Sequence, residues 1–286
     1  MELPQHVTGA LPAEPVSARR IRRGFAANNA KWIVALAGGG SAFVKAATDE
    51  MSARFLRDEH VLYSTLRAPF MPRVLGWHGD GELPVLVLED LSDAEWPPPW
   101  TETAVAAVLR TLEQVAATLP PDHLPQVEDD EGWVAGWDVV ARDPAPFLSL
   151  ELASAAWLEH HLDALQIAAH AAPLGGDALL HLDVRSDNLC IRENRAVLVD
   201  WNLAGRGNPL LDVAFWLPSL RFEGGPEPDE LCPAAAPFAA SVAGFFACRA
   251  GRPPPPTAPT VRQIQLDQLR VALPWAARAL DLPPPR

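Results

Sequence analysis

The chain has 286 residues, of which 49% are apolar, and a formal net charge of −13 at pH 7. This length can bury a full hydrophobic core and accommodates one large domain or two lobes. The acidic charge argues against a nucleic-acid partner, because binding phosphates needs a basic face and the chain has only the short basic cluster at residues 19–23. The charge suits a cationic small substrate, and solubility alone also explains it.

The cysteine pattern and the hydropathy bear on location. The chain has three irregularly spaced cysteines, which are Cys190, Cys232 and Cys248. Residues 1–6 lack the basic and then apolar pattern of a signal peptide, so we expect a reducing, cytoplasmic location. The most apolar window, residues 233–248, is shorter than the roughly 18 residues that a membrane span needs. No membrane segment is therefore expected.

The first third of the chain has the pattern of a sheet with one helix. Apolar runs at residues 32–36 and 42–44 flank a glycine-rich turn and predict a β-hairpin. Residues 50–66 have a helical pattern, with an apolar stripe that consists of Met51, Phe55, Leu62 and Leu66. A second hairpin is predicted over residues 73–88, and its last four residues are all apolar, as in a strand buried on both faces.

The character of the chain changes after Leu91. A stiff connector, Trp-Pro-Pro-Pro-Trp, precedes helical patterns at residues 102–118 and 150–170. We therefore predict an α+β fold with two lobes. Residues 1–91 are predicted to form the N-lobe, an antiparallel sheet with one helix, and residues 92–286 a mainly helical C-lobe.

Three oxygen-bearing side chains follow two predicted strand features in the second lobe. Residues 179–181 read as a strand leading to Asp183, and residues 189–199 read as a hairpin between Asn188 and Asp200. Because a hairpin returns to its starting edge, we expect Asp183, Asn188 and Asp200 to converge. Two carboxylates and an amide oxygen are the hard ligands that magnesium prefers.

The spacing of these residues matches a phosphoryl-transfer site. Asp183, two residues after His181 and five before Asn188, fits the catalytic loop of protein kinases. In that pattern the aspartate accepts the hydroxyl proton and the asparagine binds metal, while Asp200 would hold the Mg2+ that bridges the nucleotide phosphates. Arg185 is either a partner of the transferring phosphate or a surface arginine.

The first lobe supplies a second, independent set of residues. A kinase of this type needs a strand lysine paired with a helix glutamate, and Lys45 follows the predicted strand. Glu59 falls on the apolar stripe of the predicted helix, where a buried carboxylate requires a cation. We expect Lys45 to be that cation, although Glu59 at a partly exposed edge of the stripe also fits the pattern.

Two segments are candidates for contact with a nucleotide. Glu89, Asp90 and Leu91 follow the buried strand, and their backbone groups could pair with adenine. Residues 24–29 precede the first strong strand and stand where a phosphate-covering loop belongs, with Asn28 as a candidate contact. This segment has one glycine and no G-x-G-x-x-G motif.

These residues together resemble the aminoglycoside phosphotransferase family of small-molecule kinases, whose relatives include choline kinase. The resemblance covers most of the chain, including the strand lysine, the helix glutamate, residues 181–188, Asp200 with Trp201, and residues 205–212. It implies a two-lobed kinase fold, ATP or GTP as donor, magnesium and a small-molecule hydroxyl acceptor. It also implies that Asp212 braces the catalytic loop.

Two positions depart from the usual pattern of the family. Leu182 stands where glycine is usual, and Asn208 replaces an aspartate before proline. Neither position belongs to the base or the metal ligands, so the resemblance still implies activity. Leu182 adds bulk near the acceptor side.

The sequence is compatible with several classes of acceptor. The candidate acceptor residues of the second lobe are Glu128, Asp129, Asp130, Glu131, Trp133, Trp137, Glu223, Asp229 and Glu230. A cationic amino sugar or aminoglycoside would suit these acids, as would another alcohol that is choline-, sugar- or amino-acid-like. Solvated loop acids explain the same residues without a ligand.

Two other classes of function fit parts of the sequence. A nucleotide-binding homologue without catalysis would lack the base, the metal ligand or the lysine, and all three are present. A metal hydrolase built on His181, Asp183 and Asp200 could also recruit the three histidines His160, His161 and His170. However, the adjacent His160 and His161 diverge by about 100° on a helix. The sequence therefore favours a kinase.

Overall fold

The structure is a computed structural model, and it describes residues 3–21, 29–79, 81, 83–233, 236–256 and 258–285. Most of these residues belong to helices and strands. In chain order they are α1 (Gln5–Thr8), β1 (Pro15–Ile21), β2 (Asn29–Leu36), β3 (Ser41–Ala47), α2 (Glu50–Thr65), β4 (Val74–His78), β5 (Val85–Glu89), α3 (Glu102–Ala116), α4 (Gly136–Arg142), α5 (Ala145–Leu148), α6 (Ala155–His170), β6 (Ala178–Leu180), β7 (Leu189–Arg192), β8 (Arg195–Leu198), β9 (Gly205–Gly207), α7 (Leu210–Phe222), α8 (Pro228–Leu231), α9 (Ala236–Ala250) and α10 (Val261–Ala279). This is the α+β architecture predicted from the sequence.

The chain divides into two units. Unit 1 consists of Met1–Trp96 and Asp187–Leu203, and unit 2 consists of Pro97–Ser186 and Ala204–Arg286. The sequence-based division placed everything from residue 92 onwards in the second lobe. The segment Asp187–Leu203 groups with unit 1 because Glu95 and Ile191 form a β-bridge and Leu198 N–H donates to the carbonyl of Phe70.

The sheet of unit 1 is antiparallel, with the strand order β1-β2-β3-β5-β4. The first predicted hairpin is confirmed, because β2 pairs with β3 in a register that places Trp32 opposite Val44. The second is confirmed by the pairing of β4 with β5. The edge strand β1, which pairs with β2, was not predicted.

Strand β5 is buried on both faces, as its apolar sequence predicts. Its residues Val85 and Val87 join a core cluster with Val7 of α1 and Val44 of β3. Because side chains alternate along a strand, Leu86 belongs to the opposite face, and α2 contacts β5 and β3. The helix thus covers the sheet face to which Lys45 belongs.

Helix α2 begins with a capping box and presents a face different from the predicted one. The Asp49 side chain accepts a hydrogen bond of 2.7 Å from Ser52 N–H, and Ser52 Oγ accepts from Asp49 N–H. The prediction that Met51 is buried was wrong, since 46% of its surface is exposed. The buried residues are Ser52, Ala53, Leu56, Glu59, Leu62 and Tyr63. The prediction that Glu59 points inward is confirmed.

The predicted hairpin at residues 189–199 is present as β7 and β8. Leu189 pairs with Leu198, and the turn residues Glu193 and Asn194 have φ values of 51° and 61°. Two left-handed residues in sequence form the kind of two-residue turn that suits the twist of a hairpin. Cys190 lies in a buried cluster with residues that include Leu91 and Val197.

Helix α9 lies at the centre of unit 2 and contacts α10, α6, α4, α5 and α7. Its approach to α4 depends on two glycines, because a Cβ on Gly136 would lie 2.2 Å from the backbone of Gly244. The neighbouring Trp137 is fully buried, and its Nε1 donates to the Ala240 carbonyl at 2.9 Å. Within the described part of the chain, no helix is both long and apolar enough to cross a membrane.

Candidate active site

Three charged side chains of unit 1 meet in one buried cluster. Lys45 of β3 lies 2.9 Å from each carboxylate oxygen of Glu59 on α2, and only 2% of its side chain is exposed. The Lys45 Nζ also donates to Asp200, which follows β8. The structure therefore brings together three residues that lie far apart in the sequence and that were predicted to grip phosphate and metal.

The electrostatics of this cluster keep Lys45 charged. Burial alone would lower the pKa of Lys45, but the charges of Asp200 and Glu59 outweigh it and raise the pKa above its ordinary value. Burial raises the pKa of the Glu59 carboxyl, and the adjacent Lys45 opposes that shift. A buried lysine held in this way is a ready partner for the negative oxygens of a phosphate.

Asn188 and Asp200 flank the β7–β8 hairpin at the same end. The Asn188 carbonyl accepts a hydrogen bond of 2.8 Å from Val199 N–H, next to Asp200 in the chain. Asp200 has a φ of 65°, a left-handed conformation that is costly for a side chain other than glycine and that often marks functional sites. An amide oxygen and a carboxylate are hard donors of the type that magnesium prefers.

The segment after β5 is anchored by its own polar contacts. Asp90 accepts hydrogen bonds from Ser41 Oγ at 2.6 Å and from Ser92 N–H at 2.9 Å. Burial alone would raise the pKa of Asp90, but these hydrogen bonds lower it. The Leu91 carbonyl already accepts from Ala94 N–H and from Trp96 Nε1. This carbonyl is one of the backbone groups predicted to pair with adenine, and it is already engaged within the protein.

Glu89 and Asn28 are the other residues of unit 1 that were predicted to contact a nucleotide. Glu89 accepts hydrogen bonds from the backbone N–H and the Nε of Arg73, at 2.9 and 3.1 Å. Its side chain is thus engaged by Arg73, the residue before β4. Asn28 lies outside the described residues, as does most of the segment 24–29.

In unit 2, the segment that carries Asp183 is held by Asp212 of α7. The two carboxylate oxygens of Asp212 accept from His181 N–H at 2.8 Å and from Leu182 N–H at 2.7 Å. Asp183 N–H in turn donates to His181 Nδ1 at 3.2 Å. The bracing role that the family resemblance implied for Asp212 is confirmed by these bonds. Burial raises the pKa of the Asp212 carboxyl, and His181 and the two backbone donors oppose that rise.

Leu182 adopts the backbone conformation that glycine favours. Its φ is 62°, which accounts physically for a glycine between the histidine and the aspartate in relatives. The side chain of Leu182 turns towards Gly205 of β9, where an added Cβ would lie 3.0 Å from Leu182 Cδ1. Gly205 thus makes room for the bulk that the larger residue introduces.

Arg185 is paired with the expected catalytic residue. Its Nε lies 3.5 Å from Asp183 Oδ1, and 20% of the arginine side chain and 30% of the aspartate side chain are exposed. Arg185 is therefore not an isolated surface arginine. A guanidinium at this position offers several donors to phosphate oxygens.

One contact of the Asp183 segment was not foreseen from the sequence. Glu223, at the end of α7, accepts a hydrogen bond of 2.6 Å from Ser186 Oγ and another of 2.8 Å from Trp100 Nε1. The ring of Trp100 packs against Trp216 with centroids 5.5 Å apart. Glu223 is one of the candidate acceptor-binding acids, and its carboxylate is engaged with the segment that carries Asp183.

Other acceptor candidates are also engaged within unit 2. Asp229 pairs with Arg278 at 2.6 Å, and Glu230 accepts from Glu227 N–H at 3.2 Å. Trp137 lies in the core, so we correct its assignment to a packing role. Trp133 is half-buried and packs against other aromatic rings.

The histidines considered for a metal hydrolase have local partners. His170 lies 2.6 Å from Asp138, and His160 Nδ1 lies 2.8 Å from the Ala156 carbonyl of its own helix. Among the residues that the structure describes, no group of three or more His, Cys, Asp or Glu side chains has the geometry of a metal site.

Tyr63 is a member of the unit 1 cluster that sequence reasoning missed. It is 3% exposed and lies one helical turn after Glu59. Burial raises the pKa of its hydroxyl well above the ordinary value, and the charges of Glu59 and Asp200 add to the rise. Its spacing of four residues from Glu59 was the signal that could have identified it.

The chain was compared with known proteins. The model of the phosphotransferase enzyme family APH matches residues 17–240. No curated protein sequence matches the chain. Three solved structures illustrate the similarity of fold. A thermostable mutant of aminoglycoside phosphotransferase APH(4)-Ia is 18% identical, with 94% of each chain covered and a TM-score of 0.55.

The other two structures belong to proteins that are named for different activities. The amicoumacin kinase hAmiN, in complex with AMP-PNP, Ca2+ and Ami, is 10% identical over 91% of this chain and 90% of that chain, with a TM-score of 0.54. A choline/ethanolamine kinase family protein from Mesorhizobium loti is 15% identical over 93% and 91%, also with a TM-score of 0.54. With the family model spanning most of its length, the chain belongs to the APH phosphotransferase enzyme family.

Proposed function

We propose that the protein transfers the γ-phosphate of ATP to a hydroxyl group of a small molecule. The observation that carries this proposal is the buried cluster in which Lys45 contacts both Glu59 and Asp200. A structural role alone does not require a lysine with two carboxylates, because buried ion pairs contribute little net stability. Phosphoryl transfer requires such a lysine to bind the phosphates of the donor.

The donor side of the reaction is assigned to unit 1. Lys45 binds phosphate oxygens, and Glu59 holds the lysine in place. Asn188 and Asp200 would hold Mg2+, which when bound spreads the negative charge of the transferring phosphate. ATP is the expected donor.

The acceptor side is assigned to unit 2. Asp183 accepts the proton of the attacking hydroxyl, a role that is worth about 10²- to 10⁴-fold in rate. Arg185, which pairs with Asp183, is proposed to bind an oxygen of the transferring phosphate. Asp212 acts through the backbone of His181 and Leu182 and is therefore a positioning residue.

Several classes of alcohol are candidates for the acceptor. Structurally similar proteins are named for aminoglycosides, amicoumacin and choline or ethanolamine, so the fold serves different acceptors. The acidic net charge suits a cationic amino sugar, and an uncharged sugar or alcohol would use the same Asp183.

A direct test is a panel of acceptors incubated with ATP labelled at the γ-phosphate and Mg2+. The panel contains aminoglycosides, amino sugars, choline, macrolides and simple sugars, and each is scored for acceptor-dependent transfer of label. Label on at least one hydroxyl, lost in Lys45→Met and in Asp183→Asn, is the expected result. Transfer that survives both substitutions, or a wild-type protein that labels nothing in the panel, would contradict the proposal.

A further inference from the structure

The chain contains two lysines, and both belong to the sheet of unit 1. They are Lys31 of β2 and Lys45 of β3, and all the others among the 23 lysines and arginines of the chain are arginines. A lysine carries one compact ammonium group, whereas the guanidinium of arginine is a planar fork. The use of lysine at these two positions therefore sets them apart from the other cationic positions of the chain.

Lys31 and Lys45 lie directly opposite each other in the sheet. The register of β2 and β3 pairs the two residues. Opposite residues of an antiparallel pair project from the same face, with Cα atoms about 5 Å apart. The adjacent pair, Trp32 and Val44, belongs to the core cluster on the other face. Lys31 therefore projects from the face on which Lys45 meets Glu59.

The two lysines have different surroundings. Lys45 is enclosed, with 2% of its side chain exposed, and contacts the carboxylates of Glu59 and Asp200. Lys31 is half-buried, and no aspartate or glutamate among the described residues forms an ion pair with it. Like charges directly opposite each other in a sheet are destabilising. An anion that contacts both ammonium groups would remove this repulsion.

The charges of the Lys45 cluster do not by themselves favour an anion. One ammonium group and two ionised carboxylates leave Lys45, Glu59 and Asp200 with one net negative charge. A phosphate that approaches this cluster is therefore repelled as well as attracted. Lys31 adds a positive charge on the same face of the sheet and brings the four residues to neutrality. Phosphate binding is thus more favourable with Lys31 than with Lys45 alone.

We infer that Lys31 binds the phosphate chain of the donor nucleotide together with Lys45. Because the two side chains start from neighbouring strands, their ammonium groups reach different oxygens of the chain. The ligand class is a nucleoside di- or triphosphate, and adenosine lacks the group that Lys31 contacts. The inference rests on the proposed function, since it names a further residue of the donor site.

Nucleotide affinity tests this role directly. Lys31→Met removes the charge and keeps most of the length of the side chain, and calorimetric titration of the full chain with Mg2+ compares ATP, ADP and adenosine. We expect ATP and ADP to bind about tenfold more weakly to the variant, as for one lost charge-assisted hydrogen bond. Adenosine should bind as it does to the wild type. Lys31→Arg retains the positive charge and should recover part of the affinity.

Arg20→Met is the matched control for the loss of charge. Arg20 of β1 is exposed and lies opposite Trp32, so it projects from the other face of the same sheet. The substitution changes the net charge of the chain by the same amount as Lys31→Met. The affinity for ATP should stay at the wild-type value, which separates a local contact from general electrostatic attraction.

The scarcity of lysine supplies a second measurement. Lys31 and Lys45 carry the only side-chain amines of the chain, so peptide mass spectrometry after acetylation with acetic anhydride reports on each residue separately. Lys45 should react slowly in every sample because it is buried. Lys31 should react readily in the free protein. ATP at about ten times its Kd should slow that reaction about tenfold, whereas adenosine should not slow it.

The possible outcomes separate the role of Lys31 from the proposed function. The inference would be overturned by wild-type ATP affinity in Lys31→Met, by acetylation of Lys31 that ATP does not slow, or by a wild-type chain that binds no ATP. An equal loss of adenosine and ATP affinity would also overturn it, because the effect would then lie in the sheet and not in the phosphates. ATP affinity that depends on Lys31, without transfer to any acceptor, would keep the phosphate site and contradict the proposed function.

Discussion

The carboxylate of Glu223 accepts a hydrogen bond of 2.6 Å from the hydroxyl of Ser186, three residues after Asp183. Its other oxygen accepts from Trp100 Nε1 at 2.8 Å. Glu223 therefore ties the end of the segment 181–186 to α7, while Asp212 ties its beginning. A loop fixed at both ends keeps its central aspartate in a defined position, which is what proton transfer from an acceptor requires.

Glu223→Ala should lower kcat by about tenfold, because displacement of a catalytic group by a fraction of an ångström is costly. The KM for ATP should not change, since the residues that we propose to bind the nucleotide belong to unit 1. Glu223→Gln keeps one acceptor oxygen and should recover part of the lost rate. The measurement is steady-state kinetics with both substrates varied.

Glu113→Ala, which removes an exposed glutamate from α3, is the control for this series. An equal fall in kcat in Glu223→Gln and Glu223→Ala, or a fall that follows thermal stability alone, would contradict a positioning role.

Asp183→Asn should reduce the rate of phosphoryl transfer by about 10²- to 10⁴-fold, because the amide cannot accept the hydroxyl proton. Its size is close to that of aspartate, so the hydrogen bond from Asp183 N–H to His181 should persist. Nucleotide affinity should remain near the wild-type value. Single-turnover transfer separates the chemical step from binding, and an unchanged single-turnover rate would remove Asp183 from the mechanism.

Lys45→Met should destabilise the protein by about 3–5 kcal/mol, because it leaves Glu59 buried without its cation. The double variant Lys45→Met with Glu59→Leu removes both charges and should regain most of that loss. Neither variant should bind ATP with wild-type affinity. Urea unfolding measures the stability, and calorimetric titration measures the binding.

The two measurements on the Lys45 variants answer different questions. A double variant as unstable as Lys45→Met would show that the ion pair is not the source of the destabilisation. ATP bound at full affinity by either variant would exclude Lys45 from the nucleotide site.

Cys190 should make stability depend on pH in the alkaline range. Burial raises the pKa of its thiol from 9.0 to about 12, so the folded protein holds a proton that the unfolded chain releases. Its contribution is present in full below pH 9 and is lost as the pH rises from 9 towards 12. The difference in unfolding free energy between wild type and Cys190→Ala should therefore shrink between pH 8 and pH 10.5.

A second replacement without a titrating group serves as the control for Cys190. Cys190→Val and Cys190→Ala should differ in stability but share the same dependence on pH. A difference between wild type and Cys190→Ala that is constant across this range would show that the thiol does not titrate there.

Local pattern predicted the framework of the site well. The apolar runs of β2, β3 and β5 and the turn at Glu193 identify hairpins, because alternation and turn residues act over a few positions. Glu59 was recognised as inward-facing because a carboxylate within an apolar helical stripe is anomalous. Its pairing with Lys45 then followed from the cost of burying an unpaired charge.

Features that depend on tertiary contacts could not be predicted from local sequence patterns. The buried stripe of α2 is rotated relative to the predicted one, which includes Met51, because the sheet decides which side of the helix is covered. The bond between Ser186 and Glu223 joins residues 37 positions apart, and no local pattern signals it. Trp133 and Trp137 look equivalent in sequence, yet only Trp133 reaches the surface, since Trp137 is enclosed by α9.

Tyr63 gives the Lys45 cluster its own spectroscopic label. The chain contains one tyrosine, and that residue is buried next to Glu59 in the charged cluster of unit 1. Biosynthetic incorporation of fluorotyrosine would therefore yield a single fluorine resonance, sensitive to any charge that arrives beside Lys45. Occupation of the phosphate site can then be followed directly, before any acceptor has been identified.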